Sequence, residues 1–451
     1  MTTGLDIAVL RTGAVLTPVL LTAALWLAGA GPRCRGAAAL ATLWNLVGLL
    51  VVNALAVAAG AWTFGTTGAM WAGVPVDVVF GWALLWGAVP ILLTPWLHPA
   101  LCAAILVVFD ALVMGSLAPL VHLAPSWWLG EISAVALCLV PGVLLGVLTD
   151  RGVWLRARVV MQVVLFAAIA GFLLPAIAFA ATGRSWAAVR ADFGGPVDLV
   201  LVQLAALPAV VAVAAVAAFA RAGGTPYPWD PPPRLVTGGP YAYVANPMQL
   251  CGVAILALAA VILRSPEIAG IAVLAAAFGA GLAAWSEHGD LAERFGDGRS
   301  RLPLDSAAAR SAPVHSVEPR RTDRFGDDWH GYRATVRDWL PRWTPSPRRE
   351  PARLYVAGGC DPCSRLGSWL AARRPVALQI QDAATHHPPL RRLRYVAAGG
   401  TVADGTRALG AALEHLNLGW AVAGWLLRTP GVGWFVQLVA DAVGAGPRAA
   451  S

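Results

Sequence analysis

The sequence predicts a mainly α-helical, polytopic membrane protein that ends in a small α/β domain. Three observations lead to this prediction. The chain of 451 residues is 58% hydrophobic and 13% charged, about half the charged fraction of soluble proteins. Its apolar residues gather in long segments up to residue 286. Beyond that point the chain is polar and arginine-rich, and a strand-like stretch precedes a helix that begins at a cysteine pair.

About nine apolar segments are candidates to cross the membrane, since a helix needs about 20 apolar residues to span the ~30 Å hydrocarbon core. They cover residues 12–31, 37–59, 71–94, 99–123, 129–149, 159–181, 197–220, 248–263 and 267–286. The eighth is short, so a re-entrant or tilted segment is an alternative there. The first lacks a basic n-region and a cleavage site, and we expect a retained helix. We expect an integral protein of a bacterial cell membrane, surrounded by membrane lipids.

Arginine positions predict the orientation. Arginines follow the first, fifth and seventh segments, and the positive-inside rule makes those loops cytoplasmic. The N-terminus then lies outside and the C-terminal domain in the cytoplasm. The loop 182–196, with Arg184 and Arg190, counts against this orientation. The net charge of +8 fits a basic cytoplasmic face. Without a basic patch interleaved with aromatics in a soluble fold, we expect no nucleic-acid partner.

Composition divides the chain into three regions: membrane helices of unassigned role at 1–158, a second helical region at 159–343, and a last domain at 344–451. Residues 297–324 are polar and contain proline, which predicts an inserted loop. The tetrapeptide RFGD stands on both sides of it, so we expect an insertion or local duplication, with chance recurrence as the alternative. An amphipathic stretch at 327–343 follows, which predicts an interfacial helix.

The loop "PPPRLVTGGPYAYVANPMQLCG" at 231–252 is unusual for a chain so apolar. Its three successive prolines stiffen the entry, and its paired glycines allow positive φ or close backbone approach. Tyrosines at a membrane interface are ordinarily anchors. That simple interpretation leaves the glycine–proline pattern and the polar residues within it unexplained.

The stretch "GTPYPWDPPPRLVTGGPYAYVANPM", followed by two apolar segments and "SEHGDLAERFG", resembles the isoprenylcysteine carboxyl methyltransferase and phospholipid methyltransferase superfamily over about residues 197–343. The resemblance implies a helical membrane domain that binds S-adenosylmethionine from the cytoplasm, with a lipid-soluble methyl acceptor. Aromatic faces and a carboxylate suit a sulfonium cation, and a glycine-rich turn before a helix suits the cofactor's carboxylate. The matching positions place the cofactor near Gly239, Tyr241, Tyr243, Asn246, Pro247, Glu287 and His288.

The motifs also depart from the family pattern. Ala242 and Ala245 stand where the family usually has arginines, Gln249 where it often has tyrosine, and His288 where it has a second glutamate. Fewer cations beside a carboxylate-bearing ligand would weaken its binding or change the acceptor. A catalytically inactive relative is therefore the alternative.

The last domain contains "ARLYVAGGCDPCSRLGSWLAARR", a strand, a glycine turn and a helix that begins at a CxxC pair. The helix dipole stabilises a thiolate, and this spacing lets a second thiol resolve a mixed disulfide. Zinc binding is an alternative that needs two further ligands, for which His386 and His387 are the candidates.

The region 352–448 resembles the DCC-type thiol–disulfide oxidoreductases, a thioredoxin-like family. The resemblance implies that Cys360 is the attacking thiol and Cys363 the resolving one, with a cytoplasmic thiol reductant as partner. Ala357 and Gly359 replace the acidic residues that the family has before the first cysteine, which leaves proton handling open.

Several polar residues lie in or beside the N-terminal apolar segments: Asn45, Asn53, Asp77, Asp110, His122 and Glu131. Polar groups within a membrane are costly, which favours a functional role such as a lipid cavity or a proton path. Positions at helix ends or hydrogen bonds within the bundle are the alternative.

Together these patterns predict a membrane methyltransferase fused to a redox domain. The alternative is a membrane-anchored thiol–disulfide oxidoreductase, or a scaffold, whose methyltransferase-like helices are inactive.

Overall fold

The structure, a computed structural model, describes residues 4–65, 68–118, 120–282, 323–358 and 361–442. It is mainly helical, with a small strand-containing region near the C-terminus. The chain forms two compact units, residues 1–186 with 223–231, and residues 187–222 with 232–451.

The first unit is a helical bundle with short strands at one loop cluster. Its helices are α1 (Gly4–Leu27), α2 (Pro32–Ala58), α3 (Val76–Ala83), α4 (Val89–Leu92), α5 (Pro99–Val113), α6 (Trp127–Ala134), α7 (Val140–Arg151), α8 (Leu155–Ala168) and α9 (Leu174–Thr182), and α10 (Trp186–Asp192) lies at the boundary. A 3₁₀ turn at Met114–Leu117 extends α5. Its strands are β1 (Trp62–Phe64), β2 (Met70–Trp71), β3 (Val74–Pro75) and β4 (Val121–Leu123). β1 pairs with β4, and β2 with β3, both antiparallel.

Three helix pairs of this unit are joined through a wide π turn, and a proline follows each turn. The turns cover Leu84–Ala88, Val135–Leu139 and Ile169–Leu173. Pro90, Pro141 and Pro175 are the second residues of the helices that continue. A proline inside a helix lacks a donor and collides with the preceding turn. The extra residue of a π turn relieves that collision, so each helix continues instead of breaking.

The second unit combines membrane-type helices with the C-terminal region. Its helices are α11 (Pro196–Arg221), α12 (Pro247–Ile262), α13 (Pro266–Leu282), α14 (Asp323–Thr335), α15 (Asp361–Ala372), α16 (Thr406–Leu413), α17 (Leu418–Arg428) and α18 (Pro430–Ala440). Short 3₁₀ turns lie at Gly239–Ala242 and Ala383–Thr385. Its strands are β5 (Ala352–Val356), β6 (Leu378–Asp382), β7 (Arg394–Ala397) and β8 (Val402–Asp404).

Six helices of the described residues are long and apolar enough to cross a membrane, which confirms an integral membrane protein in outline. They cover Ile7–Leu27, Pro32–Ala58, Pro99–Leu117, Trp127–Arg151, Leu155–Thr182 and Pro196–Arg221. The other expected spans coincide with shorter apolar helices, at Val76–Leu92, Pro247–Ile262 and Pro266–Gly281. A helix of 16 residues, such as α12, is about 24 Å long, less than the ~30 Å core.

One predicted span begins later than its composition suggests. The segment 71–94 starts as the β2–β3 hairpin, and its helix begins only at Val76.

The amphipathic stretch at 327–343, predicted as an interfacial helix, stops being helical after Thr335. Its later half is irregular, and the Arg342 side chain donates back to the Thr335 carbonyl at 2.7 Å. This bond satisfies one of the acceptors that a helix end leaves open.

The C-terminal region contains a four-stranded sheet in the order β6–β5–β7–β8. β5 and β6 are parallel and are connected through α15, whereas β7 and β8 run antiparallel to their neighbours. A cis peptide bond joins His387 to Pro388 ahead of β7. Leu354 and Leu370 are fully buried between the sheet and its helices.

Two glycines bring α16 and α17 into close contact. A Cβ atom at Gly410 would lie 2.7 Å from the Gly424 carbonyl oxygen, and a Cβ at Gly424 would collide with the Gly410 carbonyl. No other residue type fits at this crossing.

His415 lies just after α16 and is fully buried. Its Nδ1 donates to the Val376 carbonyl at 2.7 Å, because a carbonyl can only accept, and its Nε2 accepts from the Tyr395 hydroxyl at 2.9 Å. Burial and the nearby positive charge of Arg349 lower the pKa of His415 well below its usual value, so the ring is neutral. Burial raises the pKa of Tyr395 to about 12, which keeps its hydroxyl protonated as the donor.

The C-terminal region should therefore lose stability in acid. In the unfolded chain His415 takes up a proton below pH ~6.5, whereas the folded chain resists doing so. The free energy of unfolding should then fall with decreasing pH below ~6.5, by up to about 1.4 kcal/mol per pH unit. Amide hydrogen exchange of β7, corrected for intrinsic rates, measures this slope. His415→Gln should flatten it and the exposed His387→Gln should not; equal slopes in wild type and His415→Gln would contradict the assignment.

Candidate functional site

The glycine–tyrosine loop, residues 238–246, leads into α12. Gly239 has φ +61, a left-handed conformation that favours glycine. A Cβ there would meet only ordinary contact with Ala218, at 3.5 Å. The backbone angle, more than lack of space, therefore requires glycine at this turn, which places Tyr241 and Tyr243 in the interior.

The last turn of α14 and the segment that follows it are hydrogen-bonded along this loop. Tyr332 donates its hydroxyl to the Tyr241 carbonyl at 2.8 Å. The main chains are also joined, by bonds from Ala245 N to Arg337 O at 2.9 Å, Asn246 N to Asp338 O at 3.3 Å, Arg342 N to Tyr243 O at 3.0 Å and Ser346 N to Ala242 O at 2.8 Å. We call residues 332–346 the strap. It satisfies peptide groups of a loop that is irregular after the 3₁₀ turn at Gly239–Ala242.

The tyrosines of the loop are buried and make specific contacts. Tyr241 stacks on Phe219, with ring centroids 5.0 Å apart. Tyr243 meets Trp425 edge-on at 5.9 Å and donates its hydroxyl to the Glu414 carbonyl at 2.9 Å. Burial raises the pKa of Tyr243, so this hydroxyl remains a donor.

Five of the seven expected cofactor residues are neighbours in the sequence, four in the loop and one at the start of α12. Gly239, Tyr241, Tyr243 and Asn246 lie together, and Pro247 is the first residue of α12. The Asn246 side chain makes no capping bond to that helix. Glu287 and His288 lie outside the described residues.

The cysteine pair lies where β5 gives way to α15. Cys363 is in the first turn of α15 and is partly buried against the C-terminal core. Cys360 lies outside the described residues. Among those that are described, no group of three His, Cys, Asp or Glu side chains is placed to hold a metal ion.

A buried charge cluster centred on Glu414 was not anticipated from the sequence. The side chains of Arg349 and Glu414 are only 2% and 5% exposed, with Arg349 Nη2 and Glu414 Oε2 3.7 Å apart. Arg349 also donates to the Glu414 carbonyl, and Arg428 donates to the Glu414 carboxylate. A glutamate beside a histidine in the apolar stretch "GAALEHLNLGW" is the signal that could have revealed it.

A cavity of about 310 Å³ opens beside this cluster. Its walls come from the end of α11, the loop before Gly239, and the β7–β8 and α16–α17 elements. The charged residues that line it are Arg221, Arg234, Arg349, Arg428, Glu350 and Glu414.

The polar residues of the first unit have local partners in part. Asp77 pairs with Arg11 at 2.6 Å. The Asn45 and Asn53 side chains donate to carbonyls one turn earlier in α2, at 2.9 and 2.8 Å. His122 lies on β4, opposite Thr63 of β1. These four positions fit the structural interpretation.

The carboxyl groups of Asp110 and Glu131 fit the structural interpretation less well. Asp110 and Glu131 line a cavity of about 60 Å³ together with Trp62, Trp82 and Trp86. One oxygen of each carboxyl group is buried and has no hydrogen-bond partner in the described part of the chain.

The Glu414 cluster should dominate the stability of the C-terminal region. Glu414→Gln leaves the buried guanidinium of Arg349 without its counter-charge, which we expect to cost about 3–5 kcal/mol. The matched control is Asp404→Asn, because Asp404 pairs with Arg394 at 2.7 Å on the surface, with 46% and 28% of the side chains exposed. Such an exposed pair contributes about 1 kcal/mol or less. Amide exchange across β5 and β7 compares the two variants, and similar effects would refute the central role of Glu414.

Comparison with protein-family models, with curated proteins and with solved structures finds no match to the chain. The two family resemblances therefore depend on the motifs themselves, and the geometry above is the independent observation to set beside them.

Proposed function

We propose that the chain is an integral membrane methyltransferase that uses S-adenosylmethionine on a lipid-soluble acceptor, with a thioredoxin-like thiol–disulfide domain fused at its C-terminal end. The observation that carries the proposal is the hydrogen-bonded pairing of the loop 241–246 with the strap. In sequence, the first motif and the strap are separated by two apolar helices and by the second motif. A shared cofactor site requires them to meet, and this pairing supports that requirement.

The described residues fit such a site in part. The loop supplies a left-handed glycine turn and two buried tyrosine rings, which suit the carboxylate and the sulfonium of the cofactor. Glu287 and His288 would complete the site. We propose nine membrane crossings as well, with α12 and α13 as the last two, packed against each other and with α12 against α11.

Methyl transfer requires alignment of the acceptor with the methyl group more than it requires acid–base groups. The acceptor's lone pair forms a bond to the methyl carbon while the sulfur–methyl bond breaks, and S-adenosylhomocysteine leaves uncharged. A thiol or hydroxyl acceptor also gives up its proton. The rate increases because a dry pocket holds the acceptor and the methyl group in line. A loop anchored through its main chain is suited to hold the cofactor in a fixed position.

Thiol–disulfide exchange is proposed for the C-terminal domain. The strand order β6–β5–β7–β8, the parallel β5–β6 pair connected through α15 and the position of Cys363 in the first turn of α15 all support it. The Cys360 thiolate would attack a substrate disulfide and release one substrate thiolate. Cys363 would then attack Cys360, releasing the second thiolate and leaving a disulfide that a cytoplasmic thiol reductant reopens.

A second candidate function is a membrane-anchored thiol–disulfide oxidoreductase whose helical part transfers no methyl group. It is favoured by the Tyr243 hydroxyl, which is engaged with Glu414, and by the arginines of the neighbouring cavity, because cations repel a sulfonium. Binding of S-adenosylmethionine and reduction of a disulfide substrate separate the two candidates.

Titration calorimetry of the detergent-solubilised full chain tests the methyltransferase proposal. We expect S-adenosylmethionine to bind, and Glu287→Ala to weaken binding about tenfold or more, because a carboxylate facing the sulfonium is lost. Glu293→Ala, in the same stretch, is the matched control and should bind as wild type does. No binding by the wild type at millimolar cofactor leaves the second candidate.

Reduction of a small disulfide substrate tests the redox domain. Cys360→Ser should abolish it, because the attacking thiolate is gone. Cys363→Ser should instead accumulate a mixed disulfide, visible as added mass, because the resolving thiol is gone. Cys251→Ser in α12 is the control and should retain wild-type activity. Full activity in Cys360→Ser would remove the redox assignment.

A further inference from the structure

The cavity beside the Glu414 cluster has more positive charge than its carboxylates can balance. Four arginines line it against two glutamates. The Glu414 carboxylate is engaged by Arg428 and Arg349. The Glu350 carboxylate accepts from the Gly399 main-chain N–H.

Two of the arginines have no carboxylate partner among the described residues. Arg234 donates to the Arg221 carbonyl at 3.1 Å, which is a neutral acceptor. Arg221 is the last residue of α11 and forms no ion pair in the described part of the chain. Both residues are exposed and line the cavity.

One of the arginines that line the cavity is itself buried. Arg349 is 4% exposed, and its Nε finds no hydrogen-bond partner within the described ranges. Thr237 and Thr401 also line the cavity and add hydroxyl donors.

We propose that this cavity binds a phosphate-bearing ligand. Guanidinium groups match phosphate oxygens in a fork geometry, and a dianion would balance the excess of four arginines over two glutamates. The volume of about 310 Å³ accommodates a headgroup or a small phosphorylated metabolite. The ligand is a lipid phosphate or a free phosphate ester, since Arg221 ends a helix long enough to span a membrane and basic pockets at such helix ends bind anionic lipid headgroups.

The site goes beyond the proposed methyltransfer and redox chemistry. Gly239 belongs to its lining and to the proposed cofactor turn, but four guanidinium groups would repel the cofactor's sulfonium. Its walls include strands β7 and β8 of the C-terminal region, so an occupied site would bridge that region to the glycine loop.

Titration calorimetry with the full chain in detergent tests the proposal. Inorganic phosphate is titrated against chloride at equal ionic strength, and short-chain phosphatidic acid against the matching diacylglycerol. Phosphate-bearing probes should bind, and Arg221→Gln and Arg234→Gln should each weaken binding about tenfold or more. Arg391→Gln removes an exposed arginine outside the cavity and is the matched control.

Binding of phosphatidic acid alone assigns the site to lipid, and binding of inorganic phosphate as well assigns it to phosphate in either source. Equal weakening in Arg391→Gln, or no binding of any phosphate-bearing probe, overturns the proposal. Displacement of phosphate by S-adenosylmethionine with the same sensitivity to Arg221→Gln also overturns it, because the cavity would then hold the cofactor's carboxylate. Cofactor binding that is indifferent to these arginines supports a separate phosphate site.

Discussion

The second unit depends on the neutralisation of one buried carboxylate. Glu414 accepts hydrogen bonds through both its main chain and its side chain: its carbonyl from Tyr243 and Arg349, and its carboxylate from Arg428. Arg349 also forms an ion pair with the carboxylate at 3.7 Å. Charge taken out of water is tolerated only when it is paired and hydrogen-bonded. Because the partners come from the glycine loop, the strap's continuation and α17, the requirement to satisfy one residue fixes the relative positions of three segments that are distant in sequence.

The loop and strap show how irregular backbone is maintained beside membrane-type helices. Beyond the end of α14 and the 3₁₀ turn at Gly239–Ala242, neither segment forms regular secondary structure, so their peptide groups depend on each other. Prolines set the entry to α12, and Gly239 supplies the one left-handed turn. The result is a loop whose side chains are positioned by main-chain bonds, an arrangement suited to binding a ligand with little reorganisation.

Sequence reasoning succeeded where one strong physical constraint acts. Bilayer thickness sets the length of apolar segments, and the expected span 197–220 differs from α11 by a single residue at each end. It was less accurate where turns compete with hydrophobicity, as at 71–75, where a hairpin precedes α3. Glu414 and His415 could not be predicted as a buried cluster, because their partners Arg349, Arg428 and Tyr395 lie 65, 14 and 20 residues away. The expected roles of Glu287, His288 and Cys360 remain predictions, because these residues lie outside the described ranges.

The glycine contact between α16 and α17 has a mechanical consequence. Helices that touch backbone to backbone at Gly410 and Gly424 have no side chains between them to deform, so they resist sliding past each other. Glu414 follows directly after α16, and Arg428 ends α17. The acid and its counter-ion therefore belong to one stiff piece, and any displacement of that piece would move Tyr243 with it through the Glu414 carbonyl. The close contact at Gly410 and Gly424 thus couples the position of Glu414 and Arg428 to that of Tyr243.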